Sequence, residues 1–219
     1  MPHLYLHIGQ PKTATTTIQN YLAMNRKVML ADGWLYPNAV RQSIAHHPLQ
    51  TFFSKMPLYW ITMLDKEESR QALMREIRET GCENIIMSSE ALYYLRKPLR
   101  LKTFFKGFRI TPVISLRRQD EWLESAYREQ LKNGATDIDC MVYLDQAREA
   151  LDYVTVLDRW RDAFPDERII VLPFEKSERA QPIERRFLDT IGARISGKMI
   201  ASAIKNESFN RDALTFYHA

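Results

Sequence analysis

Two short stretches of this sequence combine residue types that grip anions. The first runs Leu4-Tyr5-Leu6-His7-Ile8-Gly9-Gln10-Pro11-Lys12-Thr13-Ala14-Thr15-Thr16-Thr17. An apolar segment passes through a Gly-x-Pro turn into a lysine and a cluster of threonines, and a helical pattern follows. This is the physics of an anion cradle. The first backbone N–H groups of a helix have no partner inside it, and the helix dipole favours negative charge there. Threonine hydroxyls add donors that swivel to fit, and Lys12 supplies a compact positive charge. Gln10, Pro11, Lys12, Thr13, Ala14, Thr15, Thr16 and Thr17 are therefore the first candidate binding residues. The same hydroxyls also suit plain helix capping.

In the second stretch, the apolar run 110–116 ends in Arg117-Arg118-Gln119-Asp120, and a helical pattern carrying Trp122, Ser125 and Tyr127 follows. Arg117 leaves the C-terminal end of a strand, which is where ligands bind in open α/β sheets. Ser125 lies about two helical turns further on. A guanidinium fork plus a hydroxyl suits a phosphate dianion. Arg118 is a second candidate, or a partner for Asp120 or Glu121; a surface arginine pair beside a packing serine is the plainer alternative. Neither stretch is a Walker A loop, which sets glycine directly before its lysine, whereas Pro11 precedes Lys12 here. A single glycine also excludes the three-glycine dinucleotide fingerprint.

The elements that must position these residues follow from periodicity. Short apolar, β-branched runs predict strands over 4–8, 84–88, 109–116 and 168–172. Helical patterns lie between them, over 13–22, over 65–81 with an Asp65/Glu68 capping pattern, a Leu73/Ile77 stripe and Gly81 as stop, and over 119–132 before Asn133-Gly134. Residues 136–164 read as helical with a break and Pro165 as stop, and a last helix runs from Pro182 to Gly192. Strand–helix alternation predicts an α/β fold, three layers around a mostly parallel central sheet. The chain of 219 residues reads as a single domain over 1–219, with 33–60 an irregular acceptor-side segment and 195–219 a C-terminal extension.

With these residues in view, the first stretch resembles the 5′-phosphosulfate-binding loop of the sulfotransferases that use 3′-phosphoadenosine 5′-phosphosulfate (PAPS), whose pattern is Lys-x-Gly-Thr-Thr after the first strand. The lead-in His-Ile-Gly-x-Pro-Lys-Thr is similar to bacterial members of that superfamily. Arg117, Ser125 and Tyr127 resemble its 3′-phosphate site. One departure is Ala14, which stands where the family usually has glycine. A positive φ there would strain alanine by about 1 kcal/mol or more, whereas a negative φ leaves it harmless. Weaker similarity continues through 169–175 and 205–211, where Lys205 or Arg211 reaches a phosphate or the segment is a solvated helix start.

The resemblance implies a P-loop NTPase-like sulfotransferase fold and sulfuryl transfer from PAPS, as donor substrate, to a hydroxyl or amine acceptor, with a carbohydrate or glycolipid acceptor by analogy. No metal is implied. Such a reaction asks for in-line positioning and for stabilisation of charge on the leaving phosphate, the role expected of Lys12. It also asks for a base, with His46, His47 and Glu90 as the candidates. His7, alternating inward on the first strand, reads as a core or supporting group. Two other readings stand beside this one: an ATP-dependent small-molecule or nucleotide kinase, and a non-catalytic nucleotide-binding relative in which Ala14 is the scar.

Composition bounds the rest. At 45% hydrophobic and 11% aromatic residues the chain can bury a core, which excludes disorder. A formal net charge of +4 is too small and dispersed for a nucleic-acid partner, yet fits a polyanionic small molecule. Cys82 and Cys140 are too few for a disulfide framework. The start lacks the pattern of a signal peptide, and no apolar run reaches membrane-spanning length. The expectation is a cytoplasmic protein acting on a small-molecule or glycan acceptor, without an integral membrane segment.

Overall fold

The computed structural model describes residues 1–55, 58–134, 136–175 and 181–201. At its centre β1 (His3–Gly9) alternates sides, as strand geometry requires. Leu4, Leu6 and Ile8, all fully buried, join one apolar cluster, while Tyr5 packs against a second. Both faces of the strand therefore need a covering layer, and the rest of the chain supplies it.

In chain order β1 is followed by α1 (Thr15–Met24), α2 (Arg26–Ala31), β2 (Trp34–Leu35), α3 (Pro48–Thr51), α4 (Lys66–Thr80) and β3 (Asn84–Ser88). Two 3-10 turns, Glu90–Tyr94 and Pro98–Arg100, lead to α5 (Leu101–Phe104), β4 (Arg109–Arg117), α6 (Gln119–Lys132), α7 (Cys140–Leu151), α8 (Tyr153–Ala163), β5 (Ile170–Phe174) and α9 (Ile183–Thr190). The five strands form one sheet in the order β2-β3-β1-β4-β5, every neighbouring pair parallel. Leu73 and Ile77 of α4, Phe104 of α5 and Trp160 of α8 cover one face. Ile18 and Leu22 of α1, Met29 of α2 and Phe187 of α9 cover the other. Each such fully buried apolar side chain contributes about 1.5–3 kcal/mol relative to exposure. The predicted three-layer α/β fold is the observed one.

The strand order sets the site. From β1 the chain builds β2 and β3 on one side, then returns to build β4 and β5 on the other. The order reverses next to β1, and open α/β sheets bind ligands outside the carboxyl ends of the strands at such a switch point. Both anion-type stretches begin there, one at the end of β1 and one at the end of β4.

Local differences from the sequence expectations have physical causes. α1 begins at Thr15 rather than 13 because Lys12 (φ 69°) and Ala14 (φ 58°) are left-handed. The helical stretch 136–164 breaks at Asp152 (φ −80°, ψ 78°), whose carboxylate caps α8 by accepting from the Thr155 N–H. β5 starts two residues later than 168. The segment 33–60 is not wholly irregular, since it holds β2 and α3. Asn25 pins the end of the described chain through both its amide groups, at 2.8 and 2.7 Å from the Ile200 backbone. The segment 205–211, with Lys205 and Arg211, lies outside the described residues. Among the described residues no helix is long and apolar enough to cross a membrane.

Candidate functional site

The first stretch forms a tight loop because of Gly9. A Cβ at Gly9 would collide with Cγ2 of Thr15, so only glycine lets α1 start this close to the strand end. Beyond it the loop braces itself from within. Thr13 Oγ1 donates to the Gln10 carbonyl at 2.6 Å, and the Gln10 N–H donates to the Ser115 carbonyl at 2.9 Å. The Gln10 amide donates to the Ala150 carbonyl at 3.1 Å and accepts from the Tyr153 hydroxyl at 3.0 Å. Trp122 Nε1 donates to the Pro11 carbonyl at 2.7 Å. Gln10 and Thr13 are fully buried and brace the loop. Thr15 is buried beside Gly9, Thr16 is exposed and Thr17 is half-buried.

Ala14 is the N-cap of α1 at φ 58°, ψ 29°. The left-handed branch of the expectation holds, and it costs alanine about 1–2 kcal/mol. The start of α1 has no side-chain cap at Ala14 and no acidic residue in its first turn, so among the described residues no cap or first-turn carboxylate takes up its N–H groups or its dipole.

The two stretches meet. Arg117 Nη1 donates to the Lys12 carbonyl at 3.4 Å, its Nε donates to Glu121 Oε2 at 3.2 Å, and its guanidinium lies 5.4 Å from the centre of the Phe174 ring. Lys12 Nζ pairs with Glu129 Oε1 at 2.8 Å. Glu121, Ser125 and Glu129 follow one another at four-residue spacing and share one face of α6. Ser125 thus lies on the stripe between the carboxylate that meets Arg117 and the one that meets Lys12. Tyr127 turns elsewhere: its hydroxyl donates to the Ile138 carbonyl at 2.9 Å and its ring packs on Tyr143. Arg118 pairs with Asp120 at 2.7 Å on the surface.

The candidate bases divide cleanly. His46 is fully buried, and its Nδ1 accepts from the Ser88 N–H at 3.1 Å. The proton therefore sits on Nε2, which donates to the Pro37 carbonyl at 3.1 Å. Burial pushes the His46 pKa down to about 3. With both nitrogens engaged, His46 is a brace between the 33–60 segment and β3. His47 is different. Its Nδ1 meets Ser89 Oγ at 3.1 Å, and its Nε2 stands 3.8 Å from Glu90 Oε1. Its ring edge meets Trp60, and its side chain keeps 12% exposure. Burial lowers its pKa below the usual imidazole value, and the Glu90 charge opposes that shift. The other oxygen of Glu90 accepts from Gln19 Nε2 at 2.7 Å. His7 is fully buried, held at about 3 by desolvation, and bonded to Ser88 and Ser115. Among the described residues no three His, Cys, Asp or Glu side chains converge as metal ligands.

Several residues that shape this region have no site role in the sequence expectations: Gln19, Ser88, Ser115, Trp122, Glu129 and Tyr153. Gln19 carried a signal. It falls on the buried face of α1 with Ile18 and Leu22, and a polar amide on an apolar stripe needs partners. Glu129 had one as well, four residues after Ser125 on the same face. Tyr153 reaches the loop only through tertiary packing.

Comparison with known proteins bears on the fold. No family model matches the sequence. An uncharacterized protein of Archaeoglobus fulgidus is 34% identical over 98 residues, which is 42% of this chain and 25% of that protein. The match therefore spans about a quarter of the curated relative's length. The crystal structure of a sulfotransferase from Alicyclobacillus acidocaldarius superposes with a TM-score of 0.62 at 16% identity, covering 100% of this chain and 92% of that one. The chain has a sulfotransferase-type fold.

Proposed function

We propose that this protein transfers a sulfuryl group from PAPS to a hydroxyl or amine of a small-molecule or glycan acceptor. The observation that carries the reading is that the two stretches meet at the switch point of the sheet, the Arg117 guanidinium donating to the Lys12 carbonyl beside the start of α1, where Ala14 gives no side-chain cap. A nucleotide that is anionic at both ends would match such a pair. Its 5′-phosphosulfate would face the N–H groups of Thr15, Thr16 and Thr17, and its 3′-phosphate would face Arg117 and Ser125. Tyr127 has no part in this placement, since its hydroxyl is engaged with Ile138 and its ring with Tyr143.

In the reaction the acceptor oxygen or nitrogen forms a bond to sulfur while the bridging S–O bond to the 5′-phosphate breaks. Charge gathers on the leaving phosphate, where Lys12 and the start of α1 stabilise it. Lys12 must first exchange Glu129 for a phosphate, which costs little for so exposed a pair, and Arg117 must exchange Glu121, a part-buried partner whose charge the 3′-phosphate would replace. The acceptor's proton goes to the His47–Glu90 pair. Desolvation keeps His47 neutral near neutral pH and so able to accept it, and Glu90 stabilises the imidazolium that forms. The product is 3′,5′-bisphosphoadenosine. A cytoplasmic setting suits two unpaired cysteines, Cys82 buried and Cys140 exposed.

Thermal unfolding with added nucleotide tests the reading. Saturation at about 100 times the dissociation constant stabilises a protein by about 2.7 kcal/mol. A rise in unfolding temperature with 3′,5′-bisphosphoadenosine and none with ATP plus magnesium is the expected result. The reverse pattern would defeat this reading and favour an ATP-binding protein such as a kinase. Binding without turnover over a broad acceptor panel would leave a nucleotide-binding relative that has lost transfer.

A further inference from the structure

Beneath the loop the sheet carries a row of buried polar side chains. On the face covered by α1 and α9, adjoining strand ends present Ser88 of β3, His7 of β1 and Ser115 of β4. His7 Nδ1 lies 2.8 Å from Ser88 Oγ, and His7 Nε2 lies 2.8 Å from Ser115 Oγ. All three are fully buried. Burying such groups is unfavourable unless each finds a partner, and here each does.

One residue carries this row outward. Gln19, only 2% exposed, uses its Nε2 twice, donating to Ser88 Oγ at 3.2 Å and to Glu90 Oε2 at 2.7 Å. An amide nitrogen has two hydrogens, and both are committed. The other oxygen of Glu90 faces His47. Gln19 also follows Thr15 by four residues, so the two share the buried face of α1. One turn of one helix therefore links the anion cradle to the carboxylate beside His47.

We infer that Gln19 is a positioning residue: it holds the Glu90 carboxylate so that its second oxygen faces His47, and it ties that pair to the cradle through a single turn of α1. The inference rests on the sulfotransferase reading for its purpose, though not for its geometry. The residue type makes sense of the arrangement. A neutral amide fixes a carboxylate without cancelling its charge, whereas lysine or arginine at this position would compete with His47 for it. Among the described residues, the following groups face the pair. Glu90 meets Gln19 from α1 and His47 from the turn before α3, and its charge is also felt by the Tyr36 and Tyr94 hydroxyls, whose pKa values are raised mainly by burial. His47 meets Ser89, Trp60 and Glu90, and buried His46 stands next to it with Arg41 nearby.

The test is the titration of His47, followed by long-range proton–nitrogen NMR of the imidazole rings, in the wild-type protein and in Gln19→Met, Gln19→Asn and Glu90→Gln. The Glu90 charge raises the His47 pKa, so Glu90→Gln shifts the midpoint to lower pH. Releasing the carboxylate in either Gln19 variant moves the midpoint the same way, toward the Glu90→Gln value. Should Gln19→Met fail to fold, Gln19→Asn keeps an amide on a shorter arm and carries the same expectation. A wild-type midpoint in the folded Gln19 variants, or in Glu90→Gln itself, overturns the inference. Failure of the wild-type protein to bind 3′,5′-bisphosphoadenosine would remove the sulfotransferase reading instead, and the titration would still decide the role of Gln19.

Discussion

Helices α1 and α4 begin in opposite ways. α4 starts on Asp65, whose carboxylate accepts from the Glu68 N–H at 2.8 Å, with Glu67 and Glu68 in its first turn. It ends at Gly81 with φ 65°, a left-handed stop that suits glycine. Its own side chains satisfy one of its free N–H groups and place negative charge at the positive end of its dipole. α1 starts on Ala14 in a backbone region that alanine resists, with neither a cap nor an acid. Yet α1 is the better supported of the two from below, since Gln10, Thr13 and Trp122 brace the loop that leads into it. The scaffold is firm and the terminus is left open, beside Lys12 and within reach of Arg117. The start of α4 serves folding; on the proposed function, the start of α1 gives up stability that a bound anion would restore.

The contrast breaks most strongly at Lys12. Lys12→Ala is expected to lower sulfuryl transfer from PAPS by about 10²–10³-fold, the scale of losing one donor to the transition state. Its unfolding temperature should hardly move, because an exposed pair such as Lys12–Glu129 contributes only about 0.2–1 kcal/mol. A wild-type rate with radiolabelled donor would take Lys12 out of the mechanism. Asp65→Ala is the mirror test. It should lose about 0.5–2 kcal/mol in urea denaturation while binding 3′,5′-bisphosphoadenosine like the wild type, and a matching loss of nucleotide affinity would erase the distinction between the two helices. The smallest effect belongs to Ala14→Gly. Relief of the left-handed strain, less the extra freedom glycine has when unfolded, gives a gain of roughly 0.5–1 kcal/mol. A fall in unfolding temperature would show that the Ala14 methyl packs better than its φ suggests.

Legibility in the sequence followed the range of the forces involved. β3 was read at its observed bounds and β1 and β4 within a residue or two, because a short apolar run buried on both faces leaves a plain signal. The Asp65 cap and the Gly81 stop were equally plain, being local chemistry. β2 was missed, since two residues paired to a neighbour leave no periodic trace. The start of α1 was placed two residues early because backbone strain at Ala14 is set by tertiary fit. In the site, Lys12 and Arg117 stood out as charges at strand ends. That His46 is a brace while His47 faces Glu90 depended on which ring is buried, and neighbouring histidines do not reveal that in one dimension. Glu129 and Gln19 left a trace in the spacing of α6 and α1, but their partners Lys12 and Glu90 became visible only in the fold.

The most direct test of the account is a crystal structure of the protein with 3′,5′-bisphosphoadenosine. The expected result is the 5′-phosphate against the N–H groups of Thr15 to Thr17 with Lys12 beside it, and the 3′-phosphate on Arg117 and Ser125, with Glu129 and Glu121 displaced from their cations. A nucleotide seated away from the ends of β1 and β4, or one whose phosphates leave Lys12 and Arg117 paired to those carboxylates, would contradict it.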